Sequence, residues 1–433
     1  MENRTQIFSK NLNWIILIKI FSGIANYLII GILYRQLSDY QFGYWSILSL
    51  IYGWAVFFDF GIGNALRNKI VYLSSAGEDA KIPGIIGAGY FLNSILAVVF
   101  ATVFTLCIII VIKLDIYSSW RYENAEVVFA SIITLVGFCT NLVVGNIRAI
   151  FLSQQKSALT TWVQFTIHLS NIIGLLVLIV IKKPTLVDVS IVYTASIILN
   201  GIYYNLNFFH RNKDLFPRLD NLRTNGHTLF RVGYKFFIIQ LSALMVFSTD
   251  RIVYLVLFSP ENVSQIETIS RIYAIIPMIF MLYSAPLWSL FSDSYAKKDS
   301  LWIYEQLTKQ LKLLIILLFI SIIIFIFRSK ITLFWLGEVI LYPQYLAETI
   351  LVLNLLICWN HIWSTLLNGI GRLNIQVYLA IMCIFLNLPL SIIFARHTSL
   401  QEAGVSVATI LCLLPCGIIM ALQAKREISS LKI

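Results

Sequence analysis

At 433 residues, with 59% apolar and only 12% charged side chains, the chain lies far from the soluble globular norm of roughly 45–50% apolar and about 25% charged. That balance excludes a soluble enzyme, a disordered chain and a disulfide-stapled secreted domain. The net charge of +11 does not mark a nucleic-acid partner, because the basic residues are scattered between apolar blocks. A membrane-spanning helix needs about 20 mainly apolar residues, and twelve such blocks follow one another along the chain. After a polar start they cover 12–34, 42–63, 85–112, 127–151, 158–181 and 187–209. The first is long enough to span, so it reads as a retained helix rather than a cleaved signal. A polar, basic stretch at 210–231 is the longest break. The second set covers 234–258, 268–291, 311–327, 346–367, 375–394 and 403–424. The expected organisation is an N-terminal six-helix bundle (1–209), a basic cytoplasmic linker (210–231) and a C-terminal six-helix bundle (232–433).

Orientation follows from Lys and Arg in alternate loops. With the N-terminus in the cytoplasm, inner segments hold about 21 of them and outer segments about nine. This predicts a multi-pass protein of the plasma (inner) membrane with both termini cytoplasmic.

The two sets echo each other at an offset near half the length. Leu37-Ser38-Asp39-Tyr40-Gln41-Phe42-Gly43 follows the first span, and Phe258-Ser259-Pro260-Glu261-Asn262-Val263-Ser264 follows the seventh. Leu152-Ser153-Gln154-Gln155-Lys156 is matched by Asn368-Gly369-Ile370-Gly371-Arg372, and Gly77-Glu78-Asp79-Ala80-Lys81 by Lys297-Lys298-Asp299. Six helices per half is an even number, so both halves enter from the same side. The expected fold class is an all-α membrane protein of about twelve transmembrane helices. Its two six-helix bundles are expected to be related by a pseudo-twofold axis along the membrane normal, around a V-shaped central cleft.

Four segments carry a family resemblance. The loop from Leu37 to Gly43 resembles the one after the first helix of bacterial polysaccharide flippases. Asp59-Phe60-Gly61-Ile62-Gly63-Asn64-Ala65-Leu66-Arg67-Asn68-Lys69 is similar to the end of their second helix. Ser248-Thr249-Asp250-Arg251 and Asn368-Gly369-Ile370-Gly371-Arg372 also fit. The family is the O-antigen and capsule flippases of the Wzx type, in the MOP superfamily that also holds the MATE multidrug exporters. The resemblance implies transfer of an undecaprenyl-diphosphate-linked oligosaccharide from the cytoplasmic to the outer leaflet by alternating access. It implies lipid-linked oligosaccharide and membrane lipids as partners, with a glycan polymerase and glycosyltransferases nearby in the pathway.

An ionisable group inside a span costs about 2.5–3.5 kcal/mol near mid-bilayer, so each is a functional candidate. These are Lys19, Asp59, Asp250 and Arg251, with Arg271 near the outer end of the eighth span. Lys19 shares a helical face with Ser22, Gly23 and Asn26. Helices one, two, seven and eight front the cleft in the resembling family, so Lys19, Asn26, Asp59, Asp250, Arg251 and Arg271 are the expected substrate path. Cations in a wet cleft replace part of the hydration of a pyrophosphate, and Arg is the better clamp because of its planar fork. The alternatives are a satisfied ion pair, a snorkelling side chain and, for Asp59, a cap on the turn before Arg67. Asp250 and Arg251 point about 100° apart on a helix and cannot neutralise each other in place. His168 and His361 offer proton coupling, against the commoner role of interhelical hydrogen bonding.

The six cysteines lie in apolar blocks without ligand-like grouping, so neither a metal nor a cofactor is expected. Asp59-Phe60-Gly61 spells a kinase metal motif, but no phosphate-binding loop accompanies it. A MATE-like multidrug exporter would want more carboxylates in the cleft. A membrane glycan polymerase would want a large outer loop, and the longest here are under about 20 residues. The chain reads as a transporter, not an enzyme.

Overall fold

The structure, a computed structural model, describes residues 2–38, 41–42, 44–45, 48–49, 58–113, 124–258, 260–336 and 339–432. Among the described residues every regular element is helical. The first half holds α1 (Glu2–Gln36), α2 (Ile62–Ser75), α3 (Ile82–Lys113), α4 (Asn124–Val144), α5 (Asn146–Ser153), α6 (Ser157–Ile181) and α7 (Leu186–Arg211). Then come α8 (Leu222–Leu257), α9 (Pro260–Tyr273), α10 (Ile275–Ser284) and α11 (Leu287–Ala296). The chain closes with α12 (Ser300–Leu336), α13 (Leu346–Gly369), α14 (Asn374–His397) and α15 (Glu402–Ser429). Among the described residues 11 helical stretches are long and apolar enough to cross a membrane. They correspond to eleven of the twelve expected blocks, and the remaining one, 42–63, lies largely outside the described residues. The protein is an all-α, multi-pass membrane protein.

Its polarity is that of a chain solvated by lipid. Val180, Phe334 and Phe385 are exposed, whereas Asn93, Thr134, Asn171, Asn387, Ser391 and Thr409 are buried. Hydrocarbon welcomes the first group, and interhelical hydrogen bonds reward burying the second. The apolar block at 311–327 is only the middle of α12, whose 37 residues make it the longest helix described. The helix continues through its polar end because Gln306 and Gln310 are buried, while Lys309 pairs one turn back with Glu305 at 2.7 Å.

Two expected spans are broken helices. Gly145 separates α4 from α5, and the neighbouring carbonyls are met by amides: Asn146 Nδ2 donates to Val143 O at 3.0 Å and Asn205 Nδ2 to Val144 O at 3.0 Å. Asn93 donates to Asn146 Oδ1 at 2.9 Å, and Tyr90 donates to Asn205, completing the seam. In hydrocarbon a break survives only when its backbone groups are satisfied this way. The eighth span is cut into α9, α10 and α11 at Ala274 and at Ala285–Pro286. Pro277 sits in the first turn of α10 and Pro286 caps α11, positions where a missing N–H costs little.

The chain divides into two compact units, residues 6–237 and residues 238–433 with residues 1–5. The division falls inside α8, not at the stretch 210–231. The reason is that this stretch is pinned to α3: Arg218 N–H donates to Pro83 O at 3.1 Å, and a Cβ on Gly87 would collide with the Arg218 carbonyl oxygen.

The turns paired in the sequence share their hydrogen bonds. Gln154, Gln155 and Lys156 N–H groups donate to Ile150, Leu152 and Phe151 carbonyls, and Ile370, Gly371 and Arg372 donate to Leu366, Asn368 and Leu367. The residue in the left-handed region is Gln155 in one (φ 60) and Gly371 in the other (φ 74). Ala76, Gly77 and Glu78 close α2 onto Tyr72, Ser74 and Leu73 as Lys297, Lys298 and Asp299 close α11 onto Asp293, Tyr295 and Ser294. Both are Schellman-type stops. The latter turn of the first pair is also tied by charge, with Arg372 Nε donating to Glu427 Oε2 at 3.2 Å. Glu427, with Tyr295 beside it, holds the Arg372 guanidinium above its ordinary value.

Candidate functional site: polar groups within the spans

Asp59 is occupied by backbone. Its Oδ1 accepts from Gly61 N–H at 2.8 Å and its Oδ2 from Gly63 N–H at 2.9 Å, so the carboxylate caps the start of α2. The chain reaches that cap through two left-handed residues, Phe60 (φ 51) and Gly61 (φ 70). Gly61 lies against Gly233 of α8, and Phe60 stacks on Phe237 with ring centroids 4.4 Å apart. Arg148 stands within electrostatic reach of the same carboxylate and donates to Asn141 Oδ1 at 3.3 Å. The Asp-Phe-Gly-Ile-Gly run is thus a helix start that glycine lets α8 approach closely. Asp59→Asn keeps one acceptor oxygen but turns an amide NH2 toward the second backbone N–H, so it should lose part of the cap and lower the thermal midpoint modestly. Asp59→Ala should lose about 0.5–2 kcal/mol. Loss of export by a well-folded Asp59→Asn protein would show that the charge itself is needed.

Lys19 and Asn26 share one flank of α1. Seven residues apart on a helix, they point within about 20° of each other. The packed face of α1 is Ile15, Ile18, Ala25, Ile29 and Leu33, and its exposed apolar face includes Leu17, Phe21, Ile24 and Leu28. Lys19 and Asn26 are exposed on the border between the two. That border is where a helix in a bilayer can meet water rather than lipid, which is what an ammonium in mid-span requires.

Asp250, on α8, turns into its own unit. Its Oδ2 accepts from Thr409 Oγ1 at 2.8 Å, and Thr409 Oγ1 accepts from Asn387 Nδ2 at 2.8 Å. One turn along, the Tyr254 hydroxyl lies 3.0 Å from Ser406 Oγ. These contacts join α8, α14 and α15 by a buried polar seam. Arg251 follows Asp250 on α8, and its side chain lies outside the described residues. Arg271 is exposed in the last turn of α9. His168 is buried, with Nε2 3.1 Å from Gln164 Nε2, and His361 packs edge-on to Phe280 at 6.1 Å. Among the described residues no cluster of three or more His, Cys, Asp or Glu side chains forms a metal site. Cys383 and Cys416 do meet, with Sγ atoms 3.6 Å apart. Asn387, Ser391 and Thr409 are uncharged and so fall outside the ionisable candidates. The available signal is that each is a hydrogen-bonding residue within an otherwise apolar run.

A model of the polysaccharide biosynthesis protein family matches residues 8–292. The chain belongs to that family. The resemblance to Wzx-type flippases of the MOP superfamily, drawn from four short segments, therefore holds. A Yersinia pseudotuberculosis protein assigned to O-antigen export is 22% identical over 286 residues, which take in 62% of this chain and 61% of that protein. The alignment thus spans about three fifths of the relative. Among solved structures, a MATE protein in complex with MaD3S superposes with a TM-score of 0.79 at 15% identity, covering 99% of this chain and 97% of that one. A MOP superfamily transporter from Pyrococcus furiosus gives 0.77 at 15% identity over the same shares. The family member thus has the MATE fold, and its relatives are exporters and transporters.

Proposed function

We propose that the protein carries an undecaprenyl-diphosphate-linked oligosaccharide from the cytoplasmic to the outer leaflet of the plasma membrane, by alternating access, for O-antigen or capsule assembly. The observation that carries this reading is the family match over residues 8–292, joined to an exposed cation, Lys19, in mid-span. An anionic pyrophosphate and a hydrated glycan need a cation and amides where lipid would otherwise lie, and Lys19 with Asn26 supplies both kinds of group. A multidrug exporter of cationic compounds would be better served by a carboxylate there, and Asp59 is instead spent on backbone. The donors of the cargo are membrane glycosyltransferases and its consumer a glycan polymerase on the outer face.

Deleting the gene should remove surface polysaccharide and leave lipid-linked oligosaccharide in the inner leaflet, with re-expression restoring the surface polymer. Unchanged surface polymer together with raised dye or drug accumulation would instead establish a multidrug exporter. The Lys and Arg asymmetry supports the reading that both termini are cytoplasmic. A reporter active only outside the cytoplasm should be silent when fused after Asn225 and active after Lys183, and the reverse pattern would invert every loop assignment.

A further inference from the structure

The basic stretch between α7 and α8 is a strap held against the ends of the spans. α7 ends at Arg211 and α8 begins at Leu222, so even fully extended the chain between them could rise only about 17 Å before returning. It is held much closer. Arg218 N–H donates to Pro83 O at 3.1 Å, its carbonyl rests beside Gly87, and Phe216 packs edge-on to Phe209 with ring centroids 5.8 Å apart. Pro83 and Gly87 lie near the start of Asp79–Leu106, and Phe209 near the end of Leu186–Arg211, both long and apolar enough to cross a membrane. The strap is therefore fixed at the depth where spans leave hydrocarbon, the headgroup layer.

Two kinds of group are left uncovered there. Arg211, Lys213, Arg218 and Arg223 are exposed, against Asp214 and Asp220. Among the described residues none of these four cations makes an ion pair. Between them Phe216 and Leu219 are 61% and 68% exposed. Bare apolar side chains among unpaired cations suit a lipid surface, where the former enter the acyl boundary and the latter meet phosphates. The pattern continues along α8, where Arg223, His227, Phe230 and Tyr234 are exposed at spacings that keep them on one face. Basic groups come first and aromatic ones follow, the order expected of a helix passing from headgroups into hydrocarbon.

We propose that this strap is a docking surface for the anionic phospholipid headgroups of the leaflet it borders. Phe216 and Leu219 seat at the acyl boundary, and Arg211, Lys213, Arg218 and Arg223 meet the phosphates. Charge decides the occupant: the excess of cations over carboxylates favours phosphatidylglycerol or cardiolipin over a zwitterionic lipid. An acidic soluble protein would need the strap to stand clear of the bilayer, and its backbone is pinned at Pro83 and beside Gly87. Because the surface is preformed, little ordering entropy is lost when lipid binds. It lies within residues 6–237 and depends neither on the cargo nor on which face of the membrane it occupies.

The test places a nitroxide on Leu219→Cys in the full-length protein and reads its collisions with a neutral nickel chelate in water and with oxygen in lipid. The signal of identically treated wild-type protein is subtracted. Nanodiscs of phosphatidylcholine alone are compared with nanodiscs that also contain phosphatidylglycerol. Access to the chelate should fall about fivefold or more in the anionic discs, the shift that one cation near an anionic surface supplies, while access to oxygen rises. Added salt should reverse part of the change, because these charges are screened. Combining Arg211→Gln, Arg218→Gln and Arg223→Gln should abolish it, whereas Lys183→Gln, Lys330→Gln and Arg396→Gln together should leave it intact. If the triple strap variant does not fold, the salt titration of Leu219→Cys alone decides. Equal chelate access in both lipids would overturn the proposal, as would shielding that ignores both salt and the strap substitutions. Shielding that appears only when soluble cell protein is added would also overturn it, in favour of a protein partner. No readout involves glycan, so failure here leaves the export reading intact, and a failed export assay leaves the lipid effect standing.

Discussion

Gly61→Ala should yield little or no folded protein. The backbone there is left-handed, with φ 70, which costs an L residue about 1–2 kcal/mol. The new Cβ would also collide with the Gly233 carbonyl oxygen and lie 2.7 Å from Phe236 Cβ. Both obstacles belong to α8, which cannot retreat cheaply because Phe237 stacks on Phe60 in the same turn. Any shift of the turn also pulls the Gly61 and Gly63 N–H groups off Asp59, removing a cap worth about 0.5–2 kcal/mol. Together these reach about 3–5 kcal/mol, among the largest effects of single substitutions. The measurement is the monodisperse fraction after detergent extraction, followed by the thermal midpoint. Gly31→Ala is the control, since no atom would lie within 4 Å of its Cβ and alanine is the better helix former. A Gly61→Ala protein as abundant and as stable as Gly31→Ala would refute the account of this turn.

Lys19 and Arg251 carry the second large effect, this time on export. If each cation meets a phosphate, removing one charge-assisted contact costs about 1.5–3 kcal/mol, or roughly ten- to a hundredfold in rate. Lys19→Ala should therefore cut surface polysaccharide by about tenfold or more, with Lys19→Arg well tolerated. Arg251→Ala should abolish it and Arg251→Lys restore only part, because a point charge replaces a bidentate donor. Surface polymer is quantified against membrane-inserted protein, so that loss of insertion is not mistaken for loss of transport. Normal polymer from Arg251→Ala and Lys19→Ala at ordinary expression would remove both from the substrate path.

Span number and the paired turns could be read from the residues because they depend on solvent and on local geometry. Twenty apolar residues report the thickness of a bilayer whatever they pack against. A polar turn ending in a cation recurs at Lys156 and Arg372 because the same backbone stop recurs there. Helix ends were harder. Residues 300–310 are polar enough to resemble a loop, yet burial of Gln306 and Gln310 keeps them in α12. The unit boundary was hidden for a similar reason: 210–231 has the composition of a linker, but its backbone is docked on α3. In the candidate site, charge alone singled out Lys19, Asp59 and Asp250 and could not distinguish their tasks. Asp59 differs from Asp250 through its partners, two backbone N–H groups against a threonine and an asparagine on other helices.

The docking of that basic stretch has a consequence for proteolysis. Trypsin needs not only a basic side chain but chain that can be drawn into its cleft. Arg218 is exposed as a side chain, yet its N–H is bonded to Pro83 O and its carbonyl rests where Gly87 lacks a Cβ. Cutting after Arg218 therefore requires local unfolding first. In inside-out vesicles the segment should outlast its composition, persisting where an unstructured tether would be nicked within minutes. Gly87→Ala, by pushing the Arg218 carbonyl away, would turn the same bond into a ready target without adding a single basic residue.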